Sequence, residues 1–535
     1  MAPREAGTAP PARSLLAAST APALGTALSR VTGLVRVAAL TAALGLTSVA
    51  DVYNLANTAP NIVYELVIGG VLSSTLVPLF ISAREDSKGV AEDDASSVMV
   101  TVAFVAITVL TVLAVLGAPL LNRLFALPLE GEERRRQLDH GGDFLMLLLP
   151  QIFFYGMMTL GTALLHARRR FAAPAFAPVL TNVVISAAAL VVYFMFEGDG
   201  PNPMRTVYVL GLGTTAGIAA MAIALLPALR RAEVRLRWDF RPKHPAVRAV
   251  LRLSGWTVGF TIANSVTTLV VLTMARGAGV GAVSAYQYAF IFFQLPYGLI
   301  AVSIMTAILP ELSHAANAGD EETFGAHFRE GLSLLLTLMI PAAVAYLVLG
   351  EPLISLLLQR GQFNPDSAAR TADMLAGFSI GLPAFAVFLY CVRAFHSRKD
   401  TRTPFYLNLG ENLLNIALVV PAIGLFGTPG LSVAYSVAYV VAAVAALVVL
   451  ARRVPGLLGR RDVRTFVPGL LVAAAVGVWV AVANTYLPEG TNDFVRILAC
   501  LVVAALVFAG SVVAARPHGF EAITRRARAA LPGRR

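Results

Sequence analysis

Charge is scarce in this sequence. Asp, Glu, Lys and Arg make up 14% of it, and apolar residues make up 57%. Soluble domains average about 25% charged and about 45–50% apolar. A chain this poor in charge does not cover itself with a polar surface as a soluble globule does. Cysteine is nearly absent. Cys391 and Cys500 both fall in apolar runs, which argues against a disulfide framework or a cysteine-based metal site. They read as small buried apolar residues. The seven His residues all fall in loops or at the ends of apolar runs. There is no HExxH, no Walker loop, no nucleophile elbow and no paired carboxylates on a substantial polar loop. No catalytic residue is assigned, and the chain is expected not to be an enzyme. No cofactor is expected beyond a coupling cation of unspecified identity, and metal binding is left open.

What is present is apolar sequence in blocks. Fourteen runs are long enough to cross a hydrocarbon core of roughly 30 Å as helices. They lie at 22–46, 53–81, 96–122, 142–166, 173–196, 205–229 and 250–274, then 281–311, 331–358, 372–395, 404–426, 430–451, 466–486 and 493–515. Gly and Pro inside many of them suit membrane helices. The expected fold class is an all-α polytopic membrane protein with about fourteen transmembrane helices. Residues 1–21 read as a disordered cytoplasmic tail. Its opening MAPREAGTAPPARS has no cleavable-signal architecture, because the first apolar stretch continues into a full span.

The formal charge of +11 is explained by where the basic residues sit. With the N-terminus inside, about 30 of them fall on cytoplasmic segments and about 9 outside. The positive-inside rule therefore places both termini in the cytoplasm. Topology and anionic lipid account for the basic excess, and no nucleic-acid partner is expected.

The chain also repeats itself. HARRRFAAPAFAPVLTNVVI and HSRKDTRTPFYLNLGENLLNI match His166, Pro174 and Asn182 to His396, Pro404 and Asn412. Pro150 matches Pro383 and Pro78 matches Pro310, at offsets of 230 to 233. Two six-helix lobes follow, 22–235 and 236–455. Each holds an even number of spans, so they should be related by a pseudo-two-fold along the membrane normal. Two extra helices occupy 456–515 and a basic cytoplasmic tail occupies 516–535. Two parallel lobes with a cleft suit alternating access; the alternative is a non-transporting scaffold.

Polar residues at membrane depth are costly and mark cavities or partners. On the first span, Ser29, Gly33 and Arg36 fall within about 60° of one helical face, Arg30 lies about 100° from Ser29, and the two Arg are offset by roughly 9 Å of rise. An Arg pair suits phosphate, because each planar fork donates bidentately and stays charged. The bland alternative is snorkelling of both side chains to the interface. The second span carries Asp51, Asn54, Asn57, Asn61 and Glu65, then Gly69 and Ser73, at spacings of three or four. That is one helical face. Pro60 within it predicts a kink or break near Ala56. The alternative reading of this stripe is inter-helical polar glue. In the second lobe, Asn264 on the seventh span, Gln287 and Gln294 on the eighth, and Asn408, Glu411 and Asn412 on the eleventh form a candidate cavity or ion site. Glu411 reads as a coupling-ion ligand, as a partner for a basic group or as an interfacial residue.

These residues, with APN and TLVP in the second span, LPYG and ILPELS in the eighth, LLLQRGQF after the ninth and AFHSRKDTRTP before the eleventh, resemble the MurJ/MviN family of lipid II flippases. That family lies within the multidrug/oligosaccharidyl-lipid/polysaccharide exporter superfamily. The resemblance covers residues 24–450 or so, and the composition, rich in Ala, Arg and Gly, fits a GC-rich, actinobacterial-type member. It implies a bacterial inner-membrane protein whose cargo is lipid II, undecaprenyl-pyrophosphate-linked muropeptide. Membrane lipids and cell-wall synthesis proteins would be its neighbours. It matches Arg30 and Arg36 to the family's cavity arginines, which engage the pyrophosphate, and Asp51 to an acidic position of its motif; Ser29 beside the arginines and the stripe residues Asn54, Asn57, Asn61 and Glu65 complete the expected substrate-binding set. The chain departs from better-known members at Tyr64, Glu65 and Gly69, where they carry two Arg and a Glu, and at Phe290 and Ile291, where they carry Asp-Arg. Rival expectations are an exporter of another polyprenyl-linked glycan or of drugs, and, in another class, a scaffold or membrane enzyme of cell-wall synthesis.

Overall fold

The structure is a computed structural model. It describes residues 12–65, 92–195, 203–234, 236–457, 463–488 and 490–515. The described residues form helices joined by turns and short coil, with no strand among them. Thirteen stretches are long and apolar enough to cross a membrane, and each coincides with one of the expected spans. The remaining expected span, 53–81, is described only as far as Glu65. Gly69 and Ser73 of its stripe, and the TLVP segment, lie outside the described residues, as do the ends 1–11 and 516–535.

Two compact units emerge. The first holds residues 1–43, 56–126 and 131–258, and the second holds 44–55, 127–130 and 259–535. The division therefore falls near residue 258 rather than 235. Two short pieces from early in the chain, 44–55 and 127–130, belong to the second unit.

In the first unit, α1 (Ala12–Leu44) starts ten residues before the expected span. Its opening ARSLLAAST is rich in Ala and Leu, which favour helix, so helix replaces the expected disorder there. α2 (Ser48–Glu65) passes through Pro60 without the expected break. A proline removes one backbone bond, and the flanking turns suffice to carry a membrane helix across it. Then follow α3 (Glu92–Leu116), α4 (Ala118–Phe125), α5 (Gly131–Leu148), α6 (Gln151–Ala167), α7 (Ala172–Met195), α8 (Pro203–Ile223) and α9 (Leu226–Arg231). Tyr155, Met158 and Leu165 of α6 are buried with Ala177 of α7 and Ile218 and Met221 of α8.

In the second unit, α10 (Pro245–Gly277), which starts in the first, leads to α11 (Ala282–Pro296), a π-helical turn at Tyr297–Ala301 and α12 (Val302–Ala318). α13 (Glu321–Leu358), α14 (Pro365–Ser397), α15 (Arg402–Phe426), α16 (Gly430–Arg453), α17 (Val463–Tyr486) and α18 (Asp493–Ala515) complete it. Pro296 has no N–H for the carbonyl of Phe292, four residues back. The Tyr346 hydroxyl of α13 donates to that carbonyl at 2.6 Å. α14 and α16 approach through small residues: Ser436 Oγ donates to the Gly377 carbonyl at 2.7 Å and accepts from the Gly381 N–H at 3.1 Å. A Cβ on Gly381 would lie 2.6 Å from the Ser436 Cα. Such close approach is the usual basis of helix packing in lipid. Outward faces remain apolar, with Leu116 and Val513 more than 70% exposed, as lipid contact requires.

Candidate functional site

On α1, Arg30 is exposed and Arg36 is half-buried. The Arg36 Nε is buried without a hydrogen-bond partner. Neither guanidinium has an ion pair among the described residues. Beside them, Asn182 of α7 donates to the Ser29 carbonyl and to the Thr32 hydroxyl, both at 3.0 Å. A Cβ on Gly33 would lie 3.7 Å from the same amide nitrogen. Asn182 thus fastens the helix that bears the arginines and leaves their donors free.

The polar stripe of α2 is divided between the units. Asn57, Asn61 and Glu65 belong to the first. Asn61 Oδ1 accepts from the Tyr155 hydroxyl at 2.7 Å, and the Tyr155 ring lies 4.3 Å from that of Tyr64. Asn57 Oδ1 is buried without a partner, and Glu65 is exposed. Tyr64, one of the departures from the family pattern, therefore packs as part of an aromatic pair.

Asp51 and Asn54 belong to the second unit, where they do something the sequence did not suggest. Asp51 Oδ2 accepts from the Gly281 N–H at 2.7 Å and faces Arg276 Nη1 at 3.3 Å. Its Oδ1 accepts from the Ser284 N–H at 2.9 Å and from Ser284 Oγ at 2.7 Å. Both charged side chains are at most 1% exposed. Gly281 has φ +85°, and a Cβ there would meet Leu46 at 2.7 Å, so glycine is required. Asp51 is in effect the anionic cap of α11, supplied by a distant helix. Asn54 Nδ2 donates to Ser284 Oγ at 3.0 Å and to Tyr288 Oη at 3.3 Å, and its carbonyl accepts from Gln287 Nε2 at 3.1 Å. Asp51 and Asn54 are thus buried in contacts within the second unit, with Gln287 half-buried beside them. Two of their partners, Arg276 and Ser284, carry no signal of this role in the local sequence. The only hint was the Gly-rich GAGVGAVS turn, which brings a serine to a helix start.

The second-lobe candidates separate. Gln294 is exposed and joins none of the others. Asn264 Oδ1 accepts from Asn408 Nδ2 at 2.9 Å and from Asn412 Nδ2 at 2.8 Å, and Glu411 is buried beside them on α15. Among the described residues, no group of three or more His, Cys, Asp or Glu is placed to hold a metal ion. Apart from these residues, a polar cavity of about 530 Å³ opens where Glu351, Asp373, Asn484, Asp493 and Arg496 converge. Arg496 is occupied there by the Asn484 side chain and the Pro488 carbonyl.

Bundled spans with internal polar clusters and free arginines define a polytopic membrane transporter. The fold is that of solved transporters. "Lipid II flippase MurJ, inward closed conformation" superposes with a TM-score of 0.74 at 22% identity, covering 92% of this chain and 98% of that one. The inward-facing structure of a multidrug resistance MATE family transporter of the MOP superfamily gives 0.66 at 14% identity, covering 80% and 95%. The family model for lipid II flippase MurJ matches residues 40–503, and the chain belongs to that family. It is 28% identical over 500 residues to the lipid II flippase MurJ of Burkholderia cenocepacia, covering 91% of this chain and 94% of that one. It is 29% identical over 433 residues to the probable lipid II flippase MurJ of Rhizobium meliloti, covering 80% and 79%.

Proposed function

We propose that this chain moves lipid II from the inner to the outer leaflet of the bacterial cytoplasmic membrane by alternating access, with both termini in the cytoplasm. Family membership over most of the chain supports the cargo. The observation that carries the site is the pair of arginines on α1. Two cations on a membrane span with no ion pair among the described residues invite an anionic ligand. A pyrophosphate supplies several acceptor oxygens to their planar forks. Arg30, the more exposed, meets the headgroup on entry, and Arg36 holds it deeper. Asn57, Asn61 and Glu65 contact sugar and peptide. The polyprenyl tail stays in lipid, where its many CH₂ groups are at no cost.

The test is depletion of the protein in its host, with lipid II exposed on the outer leaflet quantified and rescue attempted with the native chain and with Arg30→Ala/Arg36→Ala. Collapse of exposed lipid II that only the native chain reverses supports the reading. Unchanged exposure on depletion transfers the cargo to another lipid-linked glycan or a drug. Full rescue by the double variant removes the arginines from the site.

A further inference from the structure

Three acceptor oxygens without donors line one face of α15. Asn408, Glu411 and Asn415 follow at spacings of three and four, and each is at most 3% exposed. Asn408 Oδ1, Glu411 Oε1 and Asn415 Oδ1 all lack a hydrogen-bond partner. Asn412, in the same row, is already engaged with Asn264 Oδ1 and with the Asn408 carbonyl, both at 2.8 Å. No amide donor of Asn412 therefore turns toward the orphans.

The surroundings bring no cation to Glu411. α16 presents the phenols of Tyr435 and Tyr439, which hydrogen-bond to each other, and α11 presents Tyr286, all three uncharged. α14 carries Arg393, which interacts with Tyr297 and His396, and His396, which interacts with Arg393 and Asp400. α10 contributes the neutral Asn264. Among the described residues no Lys, Arg or His forms an ion pair with Glu411. A bare, unpaired carboxylate at this depth is strongly disfavoured, because neither water nor a cation offsets its lost hydration. Adding one proton removes the charge and turns one oxygen from acceptor into donor, which also gives a neighbouring orphan carbonyl its partner.

We propose that Glu411 is a proton-binding site of the second unit: a neutral acid while the face of α15 is sealed, releasing its proton to water when that face opens. The O–H bond of the acid breaks and the proton passes to water, so no further reactant is required. The site has no copy in the first half of the repeat. Position 181, 230 residues earlier, is Thr181, whose hydroxyl donates to the Gly217 carbonyl at 2.9 Å. The functional consequence, a proton carried through the transport cycle, rests on the flippase reading; the site itself does not.

The experiment uses the full chain in lipid nanodiscs, followed by infrared spectroscopy through a pH titration, with Glu411→Gln and Glu411→Asp beside the native protein. The expected result is a C=O stretch of a protonated carboxylic acid at neutral pH. Glu411→Gln loses it and Glu411→Asp keeps it, shifted. An unchanged band in Glu411→Gln overturns the proposal. So does a native band that sodium ion abolishes at constant pH, which would place a metal cation in the site. In proteoliposomes carrying lipid II, a one-proton step changes the native rate by up to about tenfold per pH unit, and Glu411→Gln flattens that profile. Failure of all forms to move lipid II would sink the flippase reading while leaving the infrared result for the site intact.

Discussion

The two halves of the repeat share an asparagine and surround it differently. Asn182 of α7 and Asn412 of α15 stand 230 residues apart, and each donates to the first helix of its own half. Asn182 reaches a backbone carbonyl and a threonine hydroxyl on α1. Asn412 reaches the side chain of Asn264 on α10. The clamp is common, and the charge around it is not. The first half places Arg30 and Arg36 beside its clamp. The equivalent stretch of the second half, 260–269, reads FTIANSVTTL and has no charge. The second half instead carries Glu411 next to its asparagine, where the first has Thr181. A duplicated scaffold has thus kept the polar bond that fixes helix spacing, while its ionisable groups diverged in sign and place. Ionisable groups in a membrane are retained for what they bind, and the two proposals made above assign the halves separate tasks: an anionic headgroup to the first, a proton to the second.

The comparison is broken most severely at Asp51, the residue that joins the start of α2 to α11. Asp51→Ala leaves the buried Arg276 without its carboxylate and strips the donors of Gly281 and Ser284. A loss of about 3–5 kcal/mol is expected from breaking a buried pair. It would be seen as a lowered unfolding midpoint in nanodiscs, with partial recovery on adding Arg276→Met. Next comes a transplant of the second half's acid into the first. Thr181→Glu should cost about 2.5–3.5 kcal/mol, the usual penalty of an ionisable group at the centre of a span, whereas the isosteric Glu411→Gln should cost far less. If Thr181→Glu is silent in the same measurement, the halves are less different than their sequences indicate.

In the first half, Arg30→Ala and Arg36→Ala should each weaken headgroup binding by about 1.5–3 kcal/mol, the range for hydrogen bonds to charged groups. The readout is lipid II affinity of the purified protein, and the equivalent exchange Val266→Ala in the second half should leave it unmoved. The clamps themselves are worth less. Asn182→Ala and Asn412→Ala should each cost about 0.6–2 kcal/mol, as inter-helical hydrogen bonds in membranes do, and equal losses would support their equivalence. The smallest effect lies outside the membrane. Asp320 caps α13 by accepting from the Thr323 N–H at 2.9 Å, and that N–H holds its carboxyl below the usual 3.8. Its contribution is complete above pH 3.8 and is lost as pH falls through the lower folded value. A shallow decline in stability below that pH, absent in Asp320→Ala, is expected.

Much of this protein was written in the order of its residues. Apolar run length is a local quantity, and hydrocarbon thickness converts it directly into spans, so thirteen expected spans coincide with helical stretches of membrane length. The repeat is legible as well, because duplication preserves spacing, as the asparagines Asn182 and Asn412 show. The Asn408–Asn412 row was visible as helical periodicity, and its partner Asn264 stood out as an amide within an apolar span.

What the sequence left open was decided by contacts between segments far apart in the chain. Asp51 lies on the same helical stripe as Asn61 and Glu65, and nothing local separates them. Only packing reveals that its carboxylate is filled by donors 230 and 233 residues away while Glu65 stays exposed. LPYG announces a proline in a membrane helix, but not that Tyr346, about fifty residues later, supplies the hydrogen bond the proline removes. Helical periodicity says which residues share a face. A buried polar group must still find its partner, and that partner is set by which helix the fold brings alongside.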